Sequence, residues 1–172
     1  DKRFFHRIDK TVNNNFVNGS ASETLNTYDS YGNIITSVVN VGSSSGTTVS
    51  AIETTTTTSS FGTHNTPIPS KPDRVTVSKL RSGATSLSST VQYNYTSNGL
   101  VSSQVEFYGQ PKAVTTSYSY NSFGNSTSVT ISATGVTSRV TNLTYDNRGR
   151  FVLQKQIVPG TALAQTETFT YD

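Results

Sequence analysis

The sequence predicts an all-β protein: an antiparallel sheet of consecutive β-hairpins, each a unit of about 25 residues. Three observations carry this. A hexad that opens on tyrosine and has glycine in its fifth place recurs along the chain. The segments leading into the hexads alternate in polarity with a period of two. The composition favours strands: 55 of the 172 residues are Ser or Thr, with 9 Tyr and 8 Phe, and only 13% of residues are charged.

The first hexad is Tyr28-Asp29-Ser30-Tyr31-Gly32-Asn33. It returns as Tyr95-Thr96-Ser97-Asn98-Gly99-Leu100, as Tyr120-Asn121-Ser122-Phe123-Gly124-Asn125 and as Tyr145-Asp146-Asn147-Arg148-Gly149-Arg150. Tyr171-Asp172 begins another. Tyr95, Tyr120, Tyr145 and Tyr171 follow one another at steps of 25, 25 and 26 residues. The 67-residue interval between Tyr28 and Tyr95 breaks the series. Ser59-Ser60-Phe61-Gly62 reads there as a degenerate copy with Thr58 in the tyrosine slot, and Pro67, Pro69 and Pro72 mark an insertion or an irregular crossing. The chain therefore reads as one repeat array over 1–172, irregular over 1–72 and regular over 73–172.

Each hexad has a physical reading as a turn. Asp or Asn in second place can bond its side chain to the backbone two residues on. Glycine three residues later suits a position of positive φ, because it has no Cβ to clash. Gly32, Gly99, Gly124 and Gly149 are thus expected in like turn positions. Before the turns, Val91, Tyr93 and Tyr95 share a face, as do Val114, Thr116, Tyr118 and Tyr120, and Thr141, Leu143 and Tyr145. After one turn Thr127, Val129 and Ile131 alternate with polar residues. Gly109-Gln110-Pro111, Thr134-Gly135 and Pro159-Gly160 mark the return turns. Near the start, Arg3 to Ile8 reads as a strand and Asn13-Asn14-Asn15 as a turn. Ser43-Ser44-Ser45-Gly46 reads as a loop, and Thr54 to Thr58 as a solvated strand.

Several function classes lose support. The chain has no cysteine, so it has neither a disulfide framework nor a Cys metal site. No HExxH, EF-hand, GxGxxG or Walker spacing is present. The two histidines, His6 and His64, show no partnership with a nucleophile, and the ten carboxylates form no local acid–base pair. No catalytic, cofactor-binding or metal-binding residue is assigned. A net charge of +3 on scattered Lys and Arg gives no basic stripe, so no nucleic-acid partner is expected. No apolar run is long enough to insert as a membrane helix. The paired tyrosines could stack sugars or bases, but their alternation beside turns suits cross-strand packing.

The hexads, clearest at Tyr145 to Arg150, resemble the YD repeat of the Rhs family. That family includes bacterial Rhs polymorphic toxins, wall-associated proteins, the B and C components of insecticidal toxin complexes, and the teneurins. The resemblance is good from about Pro72-Asp73-Arg74 onward, partial at 24–62 and absent before 20. It implies a spiral sheet of hairpins forming a hollow shell around a C-terminal toxin or other cargo, in a secreted or cell-surface protein. The chain departs from the complete family pattern. No shell plug, aspartate self-cleavage region or toxin domain is seen, so cleavage and toxicity do not carry over.

The expected role is a non-enzymatic segment of the shell wall, partnered by the remainder of the parent shell and its cargo. The absence of Met, the start at Asp1 and the half motif at the end point to a piece of a longer protein. Its terminal strands, above all Glu167 to Thr170 with Tyr171, are expected to offer open edges for self-association. A surface adhesin or carbohydrate-binding array is the alternative, supported by the Ser/Thr richness and the paired tyrosines. An enzyme on a parallel β-helix is a third, suited by the period but not by the turns.

Overall fold

The computed structural model describes residues 6–62, 70–159 and 164–171. Arg3 to Phe5, His64, Pro67, Pro69, Gly160 and Asp172, singled out in the sequence, lie outside the described residues. The fold is all-β and antiparallel, with no helix among the described residues. Twelve strands follow in order: β1 (Lys10–Asn15), β2 (Ser20–Tyr28), β3 (Ile34–Ser45), β4 (Thr48–Phe61), β5 (Pro72–Arg81), β6 (Leu87–Tyr95), β7 (Val101–Glu106), β8 (Val114–Tyr120), β9 (Ser126–Ala133), β10 (Val136–Tyr145), β11 (Val152–Pro159) and β12 (Gln165–Thr168). Strand order in the sheet is chain order. The chain divides into two compact units, residues 1–90 and 91–172, with β6 running from one to the other.

In the first unit β1 to β5 pair in succession. Its strands are long, with 12 residues in β3 and 14 in β4. The 67-residue interval is occupied by these hairpins. The ladder shifts register at Thr27/Tyr28, and the same irregularity recurs at Ser60/Phe61. Phe61 therefore holds the place that tyrosine holds elsewhere. Thr58, the expected occupant, lies in the regular ladder opposite Thr76. Phe61 lies 33 residues after Tyr28 and 34 before Tyr95, so the interval contains one longer repeat on each side.

Four other local readings change. Asn13, Asn14 and Asn15 belong to β1, and the turn is Phe16 to Gly19. Asn15 Oδ1 accepts the Val17 N–H at 3.0 Å, and Asn18 Oδ1 accepts the Ser20 N–H at 3.0 Å, so the asparagines at the ends of the turn fix it. Ser43 to Ser45 continue β3, paired with Ser50, Val49 and Thr48, around a two-residue turn at Gly46-Thr47. Thr54 to Thr57 are half-buried, because β4 is paired on both sides by β3 and β5. Thr54 donates its hydroxyl to Asn40 Oδ1 at 2.8 Å. The segment His6 to Asp9 is not a strand, although Asn26 donates to Ile8 O from its side chain and to Asp9 O from its backbone.

One glycine in this unit answers to close approach. At Gly42, beside a bulge where Val41 faces Glu53 and Gly42 faces Ala51, a Cβ would collide with the Ser50 carbonyl.

In the second unit β6 to β12 pair in the same sequential way. The return turns include Thr134-Gly135, with Gly135 at φ 74°, and a longer loop between β7 and β8 that contains Gly109-Gln110-Pro111. In that loop Phe107 holds φ 52° and Lys112 Nζ sits 4.3 Å from its ring centroid. The last strand is Gln165–Thr168, not the expected Glu167 to Thr170, though the Phe169 N–H still donates to Leu153 O at 2.9 Å. Among the described residues Ala21 is the one buried apolar side chain; Glu23 and Asp73 are buried and polar. Lys10 pairs with Glu23 at 2.9 Å, and Ser60 donates to Asp73 at 2.6 Å. Each unit is thus held laterally, strand against strand, by half-buried side chains.

Candidate functional site

Four hexads build nearly identical turns. The N–H of the second residue donates to the carbonyl of the sixth in three of them: Asp29 to Asn33 at 3.0 Å, Thr96 to Leu100 at 2.8 Å and Asn121 to Asn125 at 3.0 Å. The glycine N–H donates back to the second residue's carbonyl in all four, at 2.9 to 3.2 Å. Gly32, Gly99, Gly124 and Gly149 take φ of 90°, 77°, 83° and 67°, a region where a Cβ costs energy. In the fourth hexad Asp146 N–H reaches Phe151 instead, and the loop is one residue longer. Tyr145 consequently faces Val152, seven residues on, while Tyr28, Tyr95 and Tyr120 face Ile34, Val101 and Ser126, each six on.

The second-place side chain ties each turn together. Asp29 Oδ1 accepts the N–H groups of Tyr31 and Asn33 at 2.8 and 2.9 Å. Asn121 Oδ1 accepts those of Phe123 and Asn125, both at 3.0 Å. Asp146 Oδ1 accepts those of Arg150 and Phe151 at 2.5 and 2.9 Å. Thr96 serves with its hydroxyl, accepting Leu100 N–H at 3.1 Å. These bonds set the carboxyl protonation. Burial pushes Asp29 up, but the Asn33 side-chain amide and the N–H groups of Asn33, Tyr31 and Gly32 together hold it below the usual aspartate value. The Phe151 N–H does most to lower Asp146, helped by the Arg150 N–H and charge against opposing burial. Arg150 Nε stands 3.6 Å from Asp146 Oδ2, and its guanidinium lies 5.3 Å from the Phe151 ring centroid.

The tyrosines do more than close strands. Tyr120 donates its hydroxyl to Val101 O at 2.7 Å, Tyr145 to Ser126 O at 2.9 Å and Tyr171 to Val152 O at 2.9 Å, each across a 19-residue step. Val101, Ser126 and Val152 are the residues that face the preceding hexad tyrosine in the ladder. Each of these three tyrosines thus grips the backbone of the repeat before it. In the first unit Tyr28 does the same to Ile8 O at 2.9 Å, with the Arg7 guanidinium 5.4 Å from its ring centroid. Burial, with the neighbouring Tyr118, raises the Tyr120 phenol above its usual value, so it stays a donor. Tyr93 stacks with Tyr95, and Tyr118 with Tyr120, at centroid distances of 6.5 and 6.4 Å.

A second contact joins consecutive turns. The Phe123 ring lies over Gly149, where an added Cβ would sit 2.6 Å from Cδ2, and Asn125 Nδ2 donates to Gly149 O at 2.5 Å. At the preceding pair of turns only Leu100 Cδ1 approaches Gly124, 3.7 Å from the equivalent point. A shallow recess of about 290 Å³ remains there, lined by Thr96, Asn98, Tyr118, Asn121 and Ser122 among others.

Among the described residues no group of three His, Cys, Asp or Glu could hold a metal ion. His6 is exposed and lies outside any strand. The receiving carbonyls of Ile8, Val101, Ser126 and Val152 escape a reading of side-chain types, because a backbone acceptor has no residue signature. Their signal is the constant step of 19 or 20 residues to the next tyrosine. The chain matches no protein-family model and no curated protein sequence.

Proposed function

We propose that the chain is a structural, non-enzymatic segment of an Rhs-type β-shell, a wall that encloses a C-terminal toxin or another cargo in a secreted or cell-surface bacterial protein. The observation that supports this most is the tyrosine grip on the preceding repeat. Such a bond couples nearest neighbours only, so the array can be extended one hairpin at a time, as in solenoids. Sparse burial fits a wall with solvent on one face and a cavity on the other, since two packed sheets would bury their inner faces. Its partners in this reading are the flanking hairpins of the shell and the enclosed cargo.

Electron microscopy of the protein encoded by the whole reading frame tests the proposal. The expected image is a hollow particle whose wall contains these strands, with internal density that resists protease until the wall is opened. A solid particle, or an extended array with no enclosed space, overturns it. Saturable binding of glycans by an array open to solvent on both faces would instead establish the adhesin reading.

A further inference from the structure

Two Asn-Gly pairs sit in turns of this chain, Asn18-Gly19 and Asn98-Gly99. In such a pair the glycine nitrogen, unscreened by a side chain, can attack the asparagine side-chain carbonyl and close a five-membered ring. At Asn18 the side-chain oxygen already accepts two donors, the Ser20 N–H at 3.0 Å and the Ser20 hydroxyl at 2.7 Å. Both are aimed at the atom on which negative charge develops when the carbonyl is attacked, and donors so placed lower the barrier. Asn18, Gly19 and Ser20 are exposed, and nothing lies within 4 Å of a Cβ added at Gly19. The Gly19 N–H donates to Asn15 O at 2.9 Å, a bond that opens readily at an exposed tip beside the end strand of the sheet. Asn98 lacks this setting. Gly99 is buried, Leu100 has no hydroxyl, and the Leu100 N–H donates to Thr96 Oγ1 at 3.1 Å.

We propose that Asn18 is a self-modification site, converted to aspartate and isoaspartate by water with Ser20 promoting the ring closure, while Asn98 is spared. The Gly19 nitrogen gives its proton to solvent and bonds to Asn18 Cγ, and the carbonyl π pair moves onto Oδ1 between the two Ser20 donors. Collapse breaks the Cγ–Nδ2 bond, and Nδ2 takes up a proton and leaves as ammonia. Water then adds to either carbonyl of the cyclic imide. Opening at Cγ gives aspartate, and opening at the main-chain carbonyl gives isoaspartate. The net change is an amide plus water for a carboxylate and ammonium. Isoaspartate routes the chain through the former side chain and lengthens the β1–β2 turn by one methylene. β1 depends on β2 for its ladder, so that product loosens the end of the sheet. The inference rests on this turn and not on the shell reading.

The chain and its Ser20→Ala and Ser20→Thr variants are held in mildly alkaline buffer, folded or in urea. The Asn18 and Asn98 peptides are then followed by mass spectrometry after chromatography that separates the two isomers. In the folded chain Asn18 should react about tenfold or more faster than Asn98. In urea that order should vanish, with Asn98 at least as fast, because Ser97 is less bulky than the β-branched Val17 before Asn18. Ser20→Ala should slow Asn18 about fivefold in the folded chain and leave it unchanged in urea, whereas Ser20→Thr keeps the hydroxyl and most of the rate. A turn merely loosened by Ser20→Ala would free Asn18 and speed the reaction. Equal rates at Asn18 and Asn98 in the folded chain, the same preference in urea, or a Ser20→Ala variant that reacts as fast as the parent or faster would each overturn the inference.

Discussion

Replacing Gly149 by alanine separates the two demands placed on a hexad glycine. One is local: φ is 67°, and a Cβ there costs about 1–2 kcal/mol. The other comes from the next-door repeat, because the new Cβ would stand 2.6 Å from Phe123 Cδ2 and 2.8 Å from its Cγ. The ring must move, which adds about 1–3 kcal/mol of overpacking. Gly149→Ala should therefore cost about 2–5 kcal/mol. Gly32→Ala is the control: φ is 90°, nothing lies within 4 Å of its added Cβ, and only the local cost of about 1–2 kcal/mol applies. In a Phe123→Ala background, Gly149→Ala should fall to the same local cost, giving a coupling energy of about 1 kcal/mol or more. Urea titrations followed by far-ultraviolet circular dichroism, compared at constant m, measure all of these. Equal costs at Gly32 and Gly149, or additive behaviour with Phe123→Ala, would refute the claim that consecutive turns are packed together.

Tyr145→Phe keeps the ring and deletes the bond to Ser126 O; it should cost about 1 kcal/mol, or roughly 2–4 °C in melting temperature, and an unchanged melt would reduce the grip to ring packing. Gly42→Ala should cost about 3 kcal/mol or more, since a fixed backbone carbonyl, that of Ser50, occupies the space; a cost near that of Gly32→Ala would show that the β3–β4 bulge relaxes freely. Asp146, held below its usual pKa, contributes stability that is present above the unfolded value and lost as pH falls through the folded one. Asp146→Asn should therefore flatten the decline in urea midpoint below about pH 4, yet be tolerated at neutral pH, where Asn121 already serves a like turn. An unchanged acid limb would contradict this.

The fold class was legible because two signals agree at each hexad: period-two alternation before it and turn chemistry within it. Boundaries were harder where composition misleads. Asn13 to Asn15 look like a turn, but their ladder with Ala21 and Ser22 keeps them in the strand. The threonine run looks solvated, yet a sheet interior accepts threonine when its hydroxyl finds a partner, as Thr54 finds Asn40. The longer repeats were hidden because Phe61 replaces tyrosine, and the sequence after it does not follow the hexad. At the site, the glycines and the second-place residues could be read from type and spacing. The grip could not, since half of it is backbone.

The tyrosine grip acts at one end of each hairpin only. Hexad tyrosines are held in step with the preceding repeat, whereas the opposite turns range from two residues at Gly46-Thr47 and Thr134-Gly135 to a seven-residue connection between Glu106 and Val114. The array resembles text set flush at one margin and ragged at the other. Sequence can be added at the ragged side, as β3 and β4 already show, without disturbing the alignment of the next line. An epitope, a tag or a new loop belongs there, away from the turns whose tyrosines hold the preceding repeat.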